Sequence, residues 1–391
     1  MRYDVADALV HPKTGLSLKV GAVDVETDGE IKEGTLVEPS TSAVIPIRNF
    51  IPRFVDDDSY NACFGMEWNL FRRTQFDRFN GTTISAKRFY IVTGWSPEEL
   101  RGQRILEVGC GAGRFTQVML DAGAEVWSFD YSSAVDASRA NNGPHPKLNI
   151  FQADIYAQPF KADFFDKVLC FGVLQYVPDP KPAFLGLMKF LRPDGKIAVD
   201  TYRKEQWPTR WASRQVWRPI TKRMPQDMLF HIVKWYVPRW LPIDNRLDEA
   251  RFFWRFAEYI RGIVPCFNYK GSKNHHGLTE DQLREWAILD TFNVLAPQYE
   301  HAHNLDEIQS WFEEAGLSDI QVQGGETVLR GAGVRAPCRT PSTFQTVSRP
   351  KRHDERQGCT IRLQEILRYW IAHVAYPYGI RSDDTTHVRE V

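Results

Sequence analysis

Apolar and polar positions alternate on two scales along the middle of this chain. Short apolar runs of strand length are separated by stretches of helical period, the spacing of βαβ units. "RILEVGCGAGRFT", Arg104 to Thr116, reads as a buried strand, a glycine-rich turn and a helix. "AEVWSFDYS" is a second strand ending in Asp130, and "LNIFQADIYAQPF" a third followed by Asp154. "FFDKVLCFGVLQYVPDP" supplies Asp166, an apolar fourth strand and the segment Gly172 to Val177. "FLRPDGKIAVDTY" reads as a helix end, a Pro-Asp-Gly turn and a fifth strand. The pattern resumes in "NLDEIQSWFEEAGLSDIQVQG": Leu305, Ile308, Trp311 and Phe312 have helical spacing, Gly316 closes the helix and a sixth strand follows. A seventh strand is either "GETVLR" or "STFQTVS". Such an order predicts an α/β fold with a parallel, doubly wound sheet, and ligands of such sheets bind at the carboxyl ends of the strands.

The flanking segments have other patterns. Residues 1–55 read as a small β module. In 56–101, Tyr60, Phe64, Trp68, Phe71 and Phe76 are mostly three or four apart, which predicts an amphipathic lead-in helix packed on the sheet and folded over the ligand site. Residues 102–200 form the core and 201–303 a helical insertion between strand five and the last helix. Residues 304–340 return to the core, and 341–391 are a linker and a C-terminal amphipathic helix, "IRLQEILRYWIAHVAYPYG". The insertion holds half of the chain's tryptophans in Thr201 to Gly262 (Trp207, Trp211, Trp217, Trp235, Trp240, Trp254) and is locally basic. It reads either as a helical subdomain with its own aromatic core or as a cover for an anionic substrate. Its mixed Trp and Arg content also makes 201–262 a candidate for peripheral membrane contact.

Composition narrows the classes. The 391 residues are 43% hydrophobic and 25% charged, with formal net charge zero. Zero net charge and the lack of an RNA-binding appendage argue against a nucleic-acid partner. The six cysteines are scattered without a C-x-x-C pair, which argues against a disulfide framework and a thiolate zinc site. The N-terminus has no signal-peptide pattern and no apolar run is of membrane-spanning length, so a cytoplasmic location is expected.

The glycine turn decides the chemistry. A dinucleotide fingerprint needs a third glycine where Arg114 stands when counted from Gly109, or Thr116 when counted from Gly111. A phosphate loop needs a Gly-Lys-Ser/Thr tripeptide, which does not follow. What stands here is Glu107 followed by Gly109, Gly111 and Gly113. This resembles motif I of the class I S-adenosylmethionine-dependent methyltransferases, over about Gly102 to Asp200 and again from Asn304. The resemblance implies a Rossmann-like methyltransferase sheet with S-adenosylmethionine as cofactor. It implies cofactor contacts by Glu107, Gly109, Cys110, Gly111, Gly113, Asp130, Tyr131, Asp154, Ile155 and Phe171. Asp130 at the second strand's tip would accept the ribose hydroxyls, a carboxylate being the natural bidentate acceptor for a cis-diol. Its other reading is a cap for the following helix, a role open to Ser132 or Ser133 as well. Asp154 would face the adenine amino group.

A second resemblance lies in the N-terminal module, whose layout is similar to the zinc-ribbon-like modules found ahead of some bacterial methyltransferases. Its two cysteine knuckles would fall in "HPKTG" and "EPSTS", which hold no cysteine, so no metal is expected. A third is the D-x6-P-x-Y segment from Asp290 through Pro297 to Tyr299, which resembles bacterial methyltransferases linked to polysaccharide gene sets.

A hydroxyl acceptor needs a base. Candidates are His275, His276, His301 and His303, with Tyr176 and Tyr202 as positioning groups. Relatives that use a histidine at position 175 or 176 give no base here, where Gln175 and Tyr176 stand. The expected activity is O-methylation of a small-molecule, glycan or glycolipid acceptor. N- or C-methylation of a lipid-like or aromatic metabolite is the alternative, and a non-catalytic S-adenosylmethionine-binding scaffold is the reading from another class.

Overall fold

The computed structural model describes residues 1–55, 62–204, 213–249, 263–272, 275, 277–325 and 328–336. The C-terminal call on 341–391, the strand candidate "STFQTVS", and Trp207, Trp211, Trp254 and His276 lie outside the described residues.

A seven-stranded sheet organises the core. Its strands are β5 (Arg104–Val108), β6 (Glu125–Asp130), β7 (Leu148–Gln152), β8 (Phe165–Phe171), β9 (Leu191–Tyr202), β10 (Leu317–Gly324) and β11 (Val328–Arg335). Their spatial order is β10-β11-β9-β8-β5-β6-β7. β5 pairs in parallel with both β6 and β8, so the glycine turn after Val108 lies at the sheet's centre, where the strand order reverses. β5 is buried along nearly its whole length, as a strand covered on both faces must be. The seventh strand begins in the second half of the first candidate, "GETVLR", continues past its end to Arg335, and runs antiparallel between β9 and β10.

One expectation is corrected at β9. The strand begins at Leu191, before the Pro-Asp-Gly sequence, instead of after it. Asp194 takes a φ of 63°, and the pairing with β8 shifts register between Phe165 and Lys167. The turn residues are thus absorbed as an irregularity inside the strand.

Helices α5 (Arg114–Asp121), α6 (Ala134–Asn142), α7 (Pro180–Leu187) and α11 (Leu305–Glu314) complete the doubly wound core. N-terminal to it, β1 (Lys19–Thr27), β2 (Glu30–Glu38), β3 (Ala43–Arg48) and β4 (Ile51–Pro52) form a separate antiparallel sheet. Among the described residues, no group of three or more His, Cys, Asp or Glu is placed to hold a metal.

The lead-in is not one helix. α1 (Ala62–Leu70) is followed by a turn, then α2 (Asp77–Asn80), α3 (Ile84–Thr93) and α4 (Pro97–Leu100). The turn is where polar side chains bind the insertion: Thr74 Oγ1 donates to Glu285 Oε1 at 2.6 Å and Gln75 Nε2 to Asp290 Oδ1 at 3.3 Å. Phe76 then packs with Ala112 and Ala137 beside the glycine turn.

In the insertion, α8 (Ser213–Thr221) and α9 (Gln226–Glu249) precede α10 (Glu280–Leu295). α10 opens with a capping box: Thr279 Oγ1 accepts from Gln282 N, and Gln282 Oε1 accepts from Thr279 N at 2.8 Å. Leu229, Val233 and Val237 of α9 share an apolar cluster with Phe292 and Leu295 of α10, Phe64 of α1 and Tyr176 of the core. Arg218 is structural. It is buried, donates to the carbonyls of Val294 and Pro297, and pairs with Glu300 at 2.7 Å. Among the described residues, no helix is long and apolar enough to cross a membrane.

Candidate functional site

The strand tips of β5, β6 and β8 open into a cavity of about 910 Å³. Val108, Gly109, Cys110, Gly111 and Ala112 line one side of it, with Asp130 and Tyr131 from the end of β6. Ala153, Ile155 and Phe171 add an apolar wall. Gly113, Glu107 and Asp154 stand outside this lining.

Each has a local reason for its place. Glu107 lies buried beneath the turn, where Oε2 accepts from Thr116 Oγ1 at 2.5 Å and Ser128 Oγ at 2.6 Å. Burial pushes its carboxyl up to about 7. Gly113 begins α5 with a φ of 89°, and a Cβ there would come within 2.5 Å of Ser138 Oγ, so it lets α6 approach. Asp154 accepts from Tyr156 N at 2.9 Å.

The turn's own amides are largely spoken for. Gly109 N and Cys110 N both donate to Phe129 O, and Gly113 N to Cys110 O. Gly111 N donates to Asp130 Oδ2 at 3.0 Å. Asp130 Oδ1 accepts from Ser132 N at 2.9 Å and Ser132 Oγ at 2.7 Å, and Ser132 Oγ in turn accepts from Ala134 N at the start of α6. The hydroxyl of Ser132 therefore serves the helix, while Asp130 ties the glycine turn to the end of β6. Burial pushes the Asp130 carboxyl above its ordinary value. Over the turn lies Trp68 of α1, whose ring would be 3.2 Å from a Cβ at Gly111.

The cavity continues beneath α10, and here the structure adds residues that sequence reasoning did not assign. Trp286, Asp290 and Asn293 lie four and three residues apart on one face of α10, and all line the cavity. This polar stripe on a largely buried helix was a legible signal. Asp290 Oδ2 accepts from the Tyr269 hydroxyl and Oδ1 from Gln75 Nε2. Burial pushes the Asp290 carboxyl up to about 6. His275 lines the same compartment, its ring 4.0 Å from that of Tyr269 and 4.9 Å from that of Trp286. Its Nδ1 lies 3.0 Å from Ser272 Oγ. Burial, with Arg114 and Arg88 nearby, pushes the imidazole down to about 4, so it is neutral at pH 7.

Tyr176 and Tyr202 meet at 2.7 Å, and the Tyr176 hydroxyl donates to Asn293 Oδ1. Asn293 Nδ2 donates to Glu67 Oε1 at 2.9 Å, and burial pushes the Glu67 carboxyl well up. The two tyrosines are thus fixed from behind by α1 and α10. Gln175 is 2% exposed and lines the cavity, with no partner for its Oε1 among the described residues. His301 and His303 are not in the cavity wall; His303 packs on Trp311 at 4.8 Å. Of the described part of Thr201 to Gly262, Tyr202 lines the cavity, whereas α8 and α9 do not. From the rest of the insertion, described residues between Phe267 and Val294 line it.

Residues 106–199 match a family described as "Methyltransferase domain". Among curated proteins the chain is similar to ubiquinone biosynthesis O-methyltransferase of Coxiella burnetii, with 32% identity over 104 residues, covering 26% of this chain and 44% of that one. The protein of the same name from Pseudomonas fluorescens is 29% identical over 105 residues, covering 26% and 45%. The chain therefore spans less than half the length of these relatives. A solved structure, the 1,6-didemethyltoxoflavin-N1-methyltransferase of Burkholderia thailandensis with bound 1,6-didemethyltoxoflavin and S-adenosylhomocysteine, is 13% identical, with a TM-score of 0.38 over 72% of this chain and 91% of that one. A superposition that loose is no basis for comparing residues.

Proposed function

We propose that this chain, whose residues 106–199 match a methyltransferase-domain family, uses S-adenosylmethionine to methylate an oxygen atom of a small-molecule acceptor. The observation that carries the reading is one cavity lined both by the glycine turn with Asp130 and by the titratable pair His275 and Asp290. The names of the two curated relatives favour oxygen as the methylated atom. The aromatic lining, which includes Phe71, Phe76, Phe267 and Trp286, also suits the alternative of an aromatic N- or C-acceptor.

The residues fit the cofactor. Gly109 and Gly111 present bare backbone to the cavity, the buried Asp130 carboxylate keeps an acceptor site on Oδ2 for a ribose hydroxyl, and Ala153, Ile155 and Phe171 offer an apolar wall to a base. When bound, S-adenosylmethionine supplies a methyl group already activated by a positively charged sulfur. What remains for the protein is alignment, exclusion of water and removal of a proton. Trp68 closes over the turn and excludes water from that side. Tyr176 and Tyr202, fixed by Asn293, orient the acceptor, and Gln175 Oε1 accepts from it.

Asp290 takes the acceptor's proton. At about 6 it is ionised at neutral pH and more basic than an ordinary carboxylate, which places it nearer the working pH than His275 at about 4. Activity should then rise with pH through about 6 and level off above it. Asp290→Asn should lower kcat by roughly a hundredfold or more and remove that limb. A profile flat from pH 5 to 8, with activity lost on His275→Ala, would move the role to His275.

Isothermal titration tests the reading as a whole. S-adenosylhomocysteine should bind at one per chain and NAD should not bind. The reverse would end the methyltransferase proposal. Binding without methyl transfer to any member of a hydroxylated acceptor panel would favour the scaffold.

A further inference from the structure

The cavity wall is unevenly charged. Arg72, Lys87, Arg88 and Arg114 line it, against Asp130 and Asp290. Arg72 and Lys87 are exposed, whereas Arg88 and Arg114 are half-buried. Arg88 is neutralised by Asp200 at 2.6 Å. Arg114 forms no ion pair among the described residues. Its Nη1 donates to Gln75 Oε1 at 2.5 Å, and its guanidinium lies 4.5 Å from the centre of the Phe115 ring. The half-buried cation is held by an amide oxygen and a ring face, with Asp290, Asp200 and Asp77 near but not paired with it, an arrangement that favours a ligand anion. The cofactor's own carboxylate is one such anion, and a carboxylate or phosphate on the acceptor is the other.

The geometry also says which compartment Arg114 serves. Gln75 accepts from Arg114 with one end of its amide and donates to Asp290 with the other. Asp290, Asp200 and Asp77 lie near enough to attract Arg114, and Arg114 and Arg88 near enough to act on His275. A fixed guanidinium fork thus stands one amide side chain away from the carboxylate assigned as base.

We propose that Arg114 is the specificity-determining site for an anionic acceptor, one bearing a carboxylate or phosphate close to the hydroxyl that is methylated. Resting on the methyltransferase reading, this places the anion on the guanidinium and the hydroxyl at Asp290, with Gln75 setting their separation. Arginine suits the role because its planar fork binds two oxygens at once.

The test uses the full chain loaded with S-adenosylhomocysteine. Isothermal titration compares 3-hydroxybenzoate, its methyl ester and inorganic phosphate on wild type, Arg114→Gln and Arg114→Lys. Wild type should bind at least one of the two anions about tenfold to a hundredfold more tightly than the ester. Arg114→Gln should abolish that preference, and Arg114→Lys should restore part of it, which guards against a merely misfolded variant. The same carboxylate chemistry exists on the cofactor, so a second arm compares S-adenosylhomocysteine with methylthioadenosine, which lacks the amino-acid part. Both should bind Arg114→Gln as they bind wild type. Selective loss of S-adenosylhomocysteine affinity would assign Arg114 to the cofactor's carboxylate and overturn the proposal. So would the absence of any anion preference in wild type. Neither result touches the methyltransferase reading, which fails only if wild type binds no S-adenosylhomocysteine.

Discussion

Asp130 does two jobs with one carboxylate. Facing the cavity, it also receives the amide of Gly111 and both donors of Ser132. Asp130→Ala should therefore weaken S-adenosylhomocysteine binding by roughly thirty- to a hundredfold and also lower stability by about 1–3 kcal/mol, since buried donors lose their acceptor. Paired titrations and thermal melts check this, and a lowered melting temperature with unchanged affinity would remove Asp130 from the cofactor site. Glu107 makes a separate prediction. Its carboxyl is raised from the ordinary 4.5 to about 7, so the folded chain favours its neutral form. The associated stability is complete below pH 4.5 and is lost as pH rises to about 7, a difference of about 3 kcal/mol. Glu107→Gln keeps an oxygen for Thr116 and Ser128 but cannot ionise. Urea denaturation at pH 5 and pH 8 should show wild type losing more stability than the variant across that interval; parallel losses would contradict the account.

Among elements, the contact of α11 with β11 depends on the lack of a side chain at Gly331. A Cβ there would lie 2.8 Å from the Phe312 ring. Phe312 has no room to yield, being fully buried with its ring 4.9 Å from that of Phe184. Gly331→Ala should cost about 1–3 kcal/mol by overpacking. Below its melting temperature the variant should still bind S-adenosylhomocysteine with wild-type affinity, because the change is at the sheet's far side from β5 and β6. Denaturant titration and calorimetry separate the two effects, and lost affinity in a folded variant would show coupling between the sheet edge and the glycine turn. α10 works differently. Its capping box and its apolar face position it, and the stripe Trp286, Asp290, Asn293 is then turned into the cavity.

For the described molecule, the N-terminal sheet and the core share one interior. Val5, Leu9, Ile31, Leu36 and Ile47 belong to the same apolar cluster as Trp127, Phe151 and Phe160. Arg53 pairs with Asp136 at 2.7 Å and Arg139 with Glu30 at 2.6 Å across the boundary. Removing residues 1–55 would expose several large side chains of the core, each worth about 1.5–3 kcal/mol when buried. A chain starting at Asp56 should be insoluble or aggregated by gel filtration, and the full chain should show one calorimetric transition for the sheet and core together. A soluble truncated chain with an unchanged melting temperature would refute this.

Local signals were enough for the central sheet. The apolar runs of β5 to β8, the glycines after Val108 and the cap at Thr279 each depend on a few neighbouring residues, and burial period and turn chemistry report directly on those. So the fold class and the lining by Gly109, Gly111, Asp130 and Phe171 were legible. Other features arose only on folding. The break after α1 follows from Thr74 and Gln75 meeting α10, partners more than two hundred positions away. β9 absorbed its turn because β8 continued to pair beside it. Asp290 could be seen as part of a motif, but not as a neighbour of Gln75 and, through it, of Arg114. Period and propensity determine which faces of the chain leave water; which of those faces meet is decided by packing, and the acceptor compartment is made of such meetings.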